Sequence, residues 1–394
     1  MNEWTVCRID DLGEINRGKS KHRPRNDAIL FGGDYPFIQT ADVKKAHLYI
    51  TEYSETYSEV GLAQSKLWSK GTLCITIAAN IAESAILGID ACFPDSIVGF
   101  VPFQNKSDLK FVKYLLDEFK VYMQQISKGT TQDNLSLEKL RRVKFRAPDY
   151  ATQVKIANIL SAYDELIENN IERIKILEQM AENLYKEWFV KFRFPGYENI
   201  QLKKCSPRGW VTSLNATNMV CPENWEYGPL SQLGCFVRGK NITAAEMVEG
   251  NIPVISAGIE PSGYHNENNV TGQSITVSAS GANAGYLKYH LSDIWAADCS
   301  YLQDDEKIWF VYNALKFLQP VISNLQTGAA QPHVYPKHIN RLCTIIPDDD
   351  TIISYCDKVK PIYEQIKVLK TKNENLIKQR DMLLPRLMSG KLEV

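Results

Sequence analysis

Two stretches of the chain carry apolar residues at spacings that alternate between three and four. In the first, Ile156, Leu160, Ile167, Asn170, Ile174, Leu177 and Leu184 fall on one stripe that begins at Gln153 and runs to Trp188. Adding 199 to each position of that stripe gives a second one, which includes Val359, Ile366, Leu369, Asn373, Leu376 and Leu383. A heptad stripe on a helix of about 35 residues must be buried against a partner, and the two helices are the natural partners for each other. Each follows Pro-Asp, at Asp149 and Asp348, where the carboxylate can accept from the free N–H groups of a first helical turn. At about 1.5 Å per residue each helix would span roughly 50 Å. The first is expected to end near Phe194, Pro195 and Gly196, and Pro385 to interrupt or kink the second, since proline lacks an N–H and clashes with the preceding turn.

The two asparagines sharpen this picture. An unpaired buried amide costs about 1–3 kcal/mol, and an antiparallel register that sets Asn170 against Asn373 satisfies both. It also sets Ile167 against Leu376, Ile174 against Leu369, Leu177 against Ile366, Leu184 against Val359 and Tyr163 near Arg380, where the arginine stem can cover the ring while its charge stays wet.

The segments preceding each helix have a different rhythm. Short alternating or apolar runs at 35–39, 72–78, 96–102, 252–256, 274–278 and 294–297 read as strands. Helices are expected at 109–125 and 308–325, and Gly-rich turns at 32–33 and 280–285 punctuate the runs. These segments are also copies of one another. Trp4, Leu12, Gly13, Arg17, Gly18 and Lys19 recur as Trp225, Leu233, Gly234, Arg238, Gly239 and Lys240, while Phe111, Gly129, Gln132, Pro148 and Asp149 recur as Phe310, Gly328, Gln331, Pro347 and Asp348. The fold class is therefore α/β in the mixed α+β sense, a duplicated domain at 1–148 and 225–347, helices at 149–194 and 348–394, and a connector at 195–224. Antiparallel helices would place the two domains at opposite ends of a rod, with pseudo-twofold symmetry.

Composition changes this picture little. A chain of 394 residues with 44% hydrophobic and 23% charged residues is ordinary globular material. It has no run of roughly 20 apolar residues to cross a membrane and no signal-like start, so the cytoplasm is expected. The nine cysteines are scattered. Their spacing supports neither a disulfide framework nor a zinc site and suggests small buried residues. The net charge of −1 gives no argument for nucleic acid, but Arg17, Lys19, Lys21, Arg23 and Arg25 form a local basic run with no acidic residue, a candidate phosphate-facing loop.

Residues 13–20 match the phosphate-binding loop pattern letter for letter. A genuine one sits between a buried strand and a helix N-terminus, whereas the sequel here is charged and broken by Pro24, and the second copy has Asn241 in place of the magnesium-binding hydroxyl. Base methylation would call for an Asn/Asp-Pro-Pro-aromatic loop and a Gly-rich cofactor loop, and the chain has neither Pro-Pro nor Gly-x-Gly. The acidic cluster at 304–306 reads as a solvated turn before a helix. No catalytic set is visible, and no cofactor or metal ligand set is expected in this chain.

Two related, diverged domains on a helical spacer suit recognition of a split target. Segment 153–160 (QVKIANIL) with Asp164, the exit at 188–196 (WFVKFRFPG), the Gly-x-x-Gln segments at 129–132 and 328–331, and the terminal LPRLMSGKL at 384–392 together resemble the specificity subunit of a type I restriction-modification system, over essentially the whole chain. The resemblance implies two tandem target-recognition domains, each reading one half of a bipartite site on double-stranded DNA, separated by antiparallel helices that form a coiled-coil spacer and dock two modification subunits. It also implies that those partners carry the S-adenosylmethionine and the adenine methylation chemistry, that motor-nuclease restriction subunits can join for cleavage, and that this chain is not itself an enzyme.

Residues identical in both copies cannot explain different half-sites. Arg17, Lys19, Arg238, Lys240, Gln132 and Gln331 are thus expected to serve as scaffold or phosphate contacts, together with Lys21, Arg23 and Arg25 of the basic run. Base readers are expected where the copies diverge, at 20–32 and 42–70 against 241–249 and 259–271, stretches whose aromatics include Tyr53, Tyr57 and Tyr264. Two rival readings are a coiled-coil adaptor without DNA binding, which the basic run disfavours, and a free-standing modifying enzyme, which the missing motifs disfavour.

Overall fold

The computed structural model describes residues 4–128, 134–206, 208, 220–304, 306–325 and 333–394. They form two compact units, one of Met1–Glu172 with Lys370–Val394 and the other of Arg173–Leu369. The units cut the chain differently from the sequence domains because each holds one domain together with a part of both long helices. The central helix runs Tyr150–Tyr185 and the C-terminal helix Asp349–Met388.

In unit one a five-stranded sheet has the order Gly13–Arg17, Ile97–Pro102, Leu73–Thr76, Ser84–Leu87, Tyr49–Ile50. Unit two repeats its first four strands as Val237–Arg238, Cys299–Gln303, Ser274–Ser278 and Leu287–His290. A smaller sheet accompanies each: four strands around Phe31–Phe37 in unit one and three around Ile252–Ile255 in unit two. The duplication reaches the strand register. Thr5 pairs with Ala147 in unit one, and Glu226 with Ile346 in unit two, so both ladders keep the two sequence offsets. The helices expected at 109–125 and 308–325 each break once, at Phe119 and Leu318, which share nearly the same bridge-region backbone angles. In the second copy Pro320, two residues on, cannot continue the ladder.

Both long helices start as their Pro-Asp pairs dictate. Asp149 Oδ1 accepts from the Thr152 N–H at 3.0 Å and Asp348 Oδ1 from the Thr351 N–H at 2.8 Å. The Thr152 N–H and hydroxyl hold the Asp149 carboxyl below the usual carboxylate range. At Asp348 burial works upward, but the Thr351 N–H, the Trp225 indole N–H at 2.8 Å and the Thr351 hydroxyl prevail and hold it low as well. The far ends differ from expectation. The central helix passes into a π-helical turn over Lys186–Val190 before Gly196 takes up the left-handed conformation, and the C-terminal helix runs through Pro385 to Met388 without interruption. Pro385 removes only the bond to the carbonyl one turn back, while Leu387 and Met388 bury their side chains in the core of unit one. That burial, worth about 1.5–3 kcal/mol per side chain, is of the size needed to offset an interior proline at about 3 kcal/mol.

The cores are separate. That of unit one gathers Phe100, Phe111, Leu115, Phe145, Ile156 and Leu160 with Leu387, and that of unit two gathers Trp225, Phe310, Val311, Tyr355 and Val359 with Ala181 and Trp188. The cysteines depart from the sequence reading in one place. Cys205 and Cys221 form a disulfide, because the hairpin of Leu202–Lys204 with Val220–Pro222 pairs Lys203 with Cys221 and so brings the two Cα atoms to 6.4 Å. Cys235 is exposed and Cys7 half-buried; the other five free cysteines are buried. No helix among the described residues is long and apolar enough to cross a membrane.

Candidate nucleic-acid interface

The Arg-Gly-Lys triplets end the first strand of the main sheet in each unit, and the same backbone lock holds both. In unit one Arg17 pairs with Val98, the Gly18 N–H donates to the Ile97 carbonyl at 2.9 Å and the Lys19 N–H to the Phe93 carbonyl at 3.1 Å. In unit two Arg238 pairs with Ser300, the Gly239 N–H donates to the Cys299 carbonyl at 2.9 Å and the Lys240 N–H to the Ala296 carbonyl at 2.9 Å. The glycines are required by close approach. A Cβ on Gly18 would lie 2.3 Å from the Phe93 and Pro94 carbonyl oxygens, and one on Gly239 2.4 Å from that of Ala297. The chain is thereby pressed against the neighbouring strand's entry loop, and the flanking Arg and Lys side chains stay in solvent.

The basic run is an ordered loop. Gln64 Oε1 accepts from the N–H groups of Lys21 and His22, and Arg23 Nη1 donates to the Ser20 and His22 carbonyls, each at 2.8 Å. His22 Nε2 meets Asp27 at 2.9 Å, a bond that holds the Asp27 carboxyl below its usual range. Arg25 pairs with Asp95 at 2.8 Å. The guanidinium of Arg23 thus closes the loop and that of Arg25 is neutralised, while Arg17, Lys19 and Lys21 are exposed and form no side-chain hydrogen bond or ion pair among the described residues. Because Gly13–Arg17 is a strand and no helix follows Ser20 until the single turn at Ala28–Leu30, the letters of the phosphate-loop pattern lie along extended chain.

The divergent stretches sort by exposure. Tyr53 and Tyr264 are exposed. Tyr57 is not a reader: it is 1% exposed and stacks on Phe37 with ring centroids 3.9 Å apart, inside the smaller sheet's core. Gln132 and Gln331, with their Gly-x-x-Gln segments, lie outside the described residues.

The family model of the type I restriction modification DNA specificity domain matches residues 1–179 and again 222–380. The chain belongs to this family. Each match takes in one Arg-Gly-Lys strand and about the first thirty residues of the long helix that follows. The chain is similar over its whole length to the type I restriction enzyme MjaIX specificity subunit of Methanocaldococcus jannaschii, at 27% identity over 411 residues and 94% of that protein. It is similar also to the HindI specificity subunit of Haemophilus influenzae, at 22% identity over the whole of both chains. Among solved structures, the S subunit of the type I restriction-modification system of M. genitalium shares the fold, with a TM-score of 0.56 at 19% identity, covering 98% of this chain and 96% of that one.

Within this specificity-family chain the helix stripe residues are buried or half-buried. Ile156, Leu160, Ile167, Asn170, Val359, Ile366 and Leu369 are buried, and Ile174, Leu177, Leu184, Asn373, Leu376 and Leu383 half-buried. In unit one the two helix segments run antiparallel: Asn170 Nδ2 donates to Asn373 Oδ1 at 2.7 Å, and Asp164 meets Arg380 nearly two turns on. In unit two Ile174, Leu177 and Leu184 pack on the cluster that holds Val359 and Ile366.

One polar feature escaped the sequence. The Arg380 charge, expected to stay wet, has its guanidinium donating to the buried carboxylate of Asp164, which also accepts from the buried Tyr114 hydroxyl, as well as to the exposed Asp381. Burial, and then the neighbouring Asp164 carboxylate, pushes the Tyr114 hydroxyl far up. For Arg380 burial works downward, but Asp164 overcomes it and keeps the guanidinium charged. The triad ties the domain helix Leu109–Glu118 to both long helices. In the second copy the positions offset by 199 are Asn313, Tyr363 and Ala181. There the Asn313 amide donates to the Tyr363 hydroxyl at 3.0 Å and Tyr363 stacks on Trp309 at 3.6 Å, so the same joint is made without ions.

Proposed function

We propose that this chain is the non-catalytic DNA-reading subunit of a type I restriction-modification complex. Its target-recognition domains, at 1–148 and 225–347, each read one half of a bipartite site on double-stranded DNA. The helices at 149–194 and 348–394 form an antiparallel coiled-coil spacer and dock two modification subunits, with residues 195–224 as the connector. Those subunits supply the S-adenosylmethionine and the methyl transfer, restriction subunits join for cleavage, and the complex works in the cytoplasm. The observation that carries the reading is the twice-built Arg-Gly-Lys lock, which offers exposed cations from a rigid strand end in each of two diverged domains. Cations on fixed backbone suit phosphate contacts, which position a protein on a duplex without reading sequence. Specificity is then left to the divergent loops, whose Arg, Asn, Gln and Lys side chains can pair with purine edges. An adaptor that binds no DNA would have no use for such a lock.

The test is an exchange of residues 1–148 for the corresponding domain of a relative, in complex with the modification subunit, followed by mapping of methylated adenines. One half of the recognised site should change and the other stay. A change in both halves, or methyl transfer by the isolated chain, overturns the reading.

A further inference from the structure

The two Arg-Gly-Lys ends share a backbone but differ in charge. Each is faced by one aspartate in a corresponding place: Asp95 lies between the carbonyls of Phe93 and Ile97, which receive the Lys19 and Gly18 N–H groups, and Asp298 between those of Ala296 and Cys299, which receive the Lys240 and Gly239 N–H groups. In unit one that aspartate is taken by Arg25, at 2.8 Å, from the loop beyond the triplet. The corresponding loop of unit two, 241–249, contains no Arg or Lys, and there Arg238 of the triplet itself donates to Asp298. Ser280 donates to the other oxygen of Asp298, which fixes the carboxylate in place.

The sequence beyond each triplet runs the same way. Residues 17–27 carry Arg17, Lys19, Lys21, Arg23 and Arg25 against Asp27, whereas residues 238–249 carry Arg238 and Lys240 against Glu246 and Glu249. The Glu246 carboxylate accepts from the Thr243 N–H and hydroxyl at 2.7 and 2.8 Å, which keep it ionised, with Lys240 adding to the effect. The Lys240 ammonium stands 5.9 Å from the Trp295 ring centroid, and Trp295 in turn donates to the Lys240 carbonyl at 2.8 Å.

We propose that the two domains hold the DNA backbone unequally: the first grips phosphates through Arg17, Lys19 and Lys21, while the second, its arginine neutralised by Asp298, keeps only Lys240 of its triplet for the salt-dependent grip. This inference rests on the DNA-reading function proposed above. A cation that already has a carboxylate partner must exchange it for a phosphate and gains little, and no net counterion is released when it does; a free cation releases about 0.9 counterion per contact. The first domain therefore makes the initial, sequence-independent encounter, and the second is left to discriminate by base contacts and shape.

The experiment measures binding of the full complex to a labelled duplex of arbitrary sequence between 50 and 200 mM salt, so that the recognised site need not be known. Across that range each phosphate contact contributes about a 3.5-fold loss of affinity. Arg17→Ala or Lys19→Ala should each shrink the wild-type loss by about 3.5-fold, Arg238→Ala should leave it unchanged, and Asp298→Asn, which frees Arg238, should enlarge it by about 3.5-fold. Equal effects of Arg17→Ala and Arg238→Ala overturn the asymmetry and leave the DNA-reading function standing. Absence of salt-dependent binding by the wild-type complex overturns that function itself. Should Asp298→Asn fail to fold, as thermal melting would reveal, the two arginine variants alone decide the matter.

Discussion

Arg380→Met removes the cation that pairs with the buried Asp164 and keeps the aliphatic stem. Asp164 is 1% exposed, and without Arg380 its carboxylate keeps only the Tyr114 hydroxyl among the described residues. Stripping one partner from a buried ion pair costs about 3–5 kcal/mol, because the surviving charge stays desolvated. A urea dependence of about 2 kcal/mol per molar turns that into a fall in midpoint of roughly 1.5–2.5 M. Circular dichroism reads the transition, and hydrogen exchange in the Leu109–Glu118 helix assigns it to unit one. The companion variant, Asp164→Leu with Arg380→Met, removes both charges and should return to within about 1 kcal/mol of wild type or exceed it, since apolar replacements of a whole buried pair are often neutral or stabilising. A cost below about 1 kcal/mol for Arg380→Met, the range of an exposed pair, would refute the burial argument. So would a double variant as weak as the single one.

Three further outcomes are expected. Asn170→Leu or Asn373→Leu alone should cost about 1–3 kcal/mol by orphaning an amide, and the two together much less; equal urea midpoints for the single and double variants would contradict the pairing. Gly18→Ala and Gly239→Ala should each lower stability by about 1–3 kcal/mol, because a Cβ 2.3–2.4 Å from backbone oxygen must move the chain, and an unchanged melting temperature would show that the contact is soft. Burial pushes the hydroxyls of Tyr114, Tyr185, Tyr289, Tyr312, Tyr355 and Tyr363 above their ordinary value. Their folded values exceed the unfolded ones, so the stability they add is full below about pH 10 and declines as the pH rises past it; exposed tyrosines such as Tyr53 and Tyr264 should ionise in the folded protein, the remaining tyrosinate absorbance should appear only with unfolding, and full tyrosinate absorbance in still-folded protein would count against the burial of these six.

What the sequence could reveal depended on periodicity. The stripe from Ile156 to Leu184 and its copy were legible because a helix repeats its buried face every three or four residues, and the Asn170–Asn373 bond followed because one asparagine per stripe leaves few ways to satisfy both amides. The strand registers Thr5↔Ala147 and Glu226↔Ile346 are the duplication seen in space. Contacts that join chemically unlike residues from remote segments carry no such rhythm. Tyr114, Asp164 and Arg380 come from three helices, and the second copy fills the same joint with Asn313 and Tyr363, so comparing the copies hid the triad. Divergence likewise could not tell Tyr57 from Tyr53, because a core residue and a surface residue drift alike when their surroundings drift with them. The meeting of Arg238 with Asp298 depends on what loop 241–249 lacks, and only the fold shows which aspartate is left waiting.

Unit two is a single stretch of chain, Arg173–Leu369, whereas unit one is completed by Lys370–Val394. On the ribosome this sets an order of assembly. At about 5–20 residues per second, roughly 10–40 s separate the synthesis of residue 172 from that of residue 370. Throughout that interval the buried Asp164 has no Arg380, and the core of unit one is open where Leu387 and Met388 will sit. The domain made first is therefore finished last, and a nascent chain that stalls inside the final helix would carry a complete second unit and an unfinished first one.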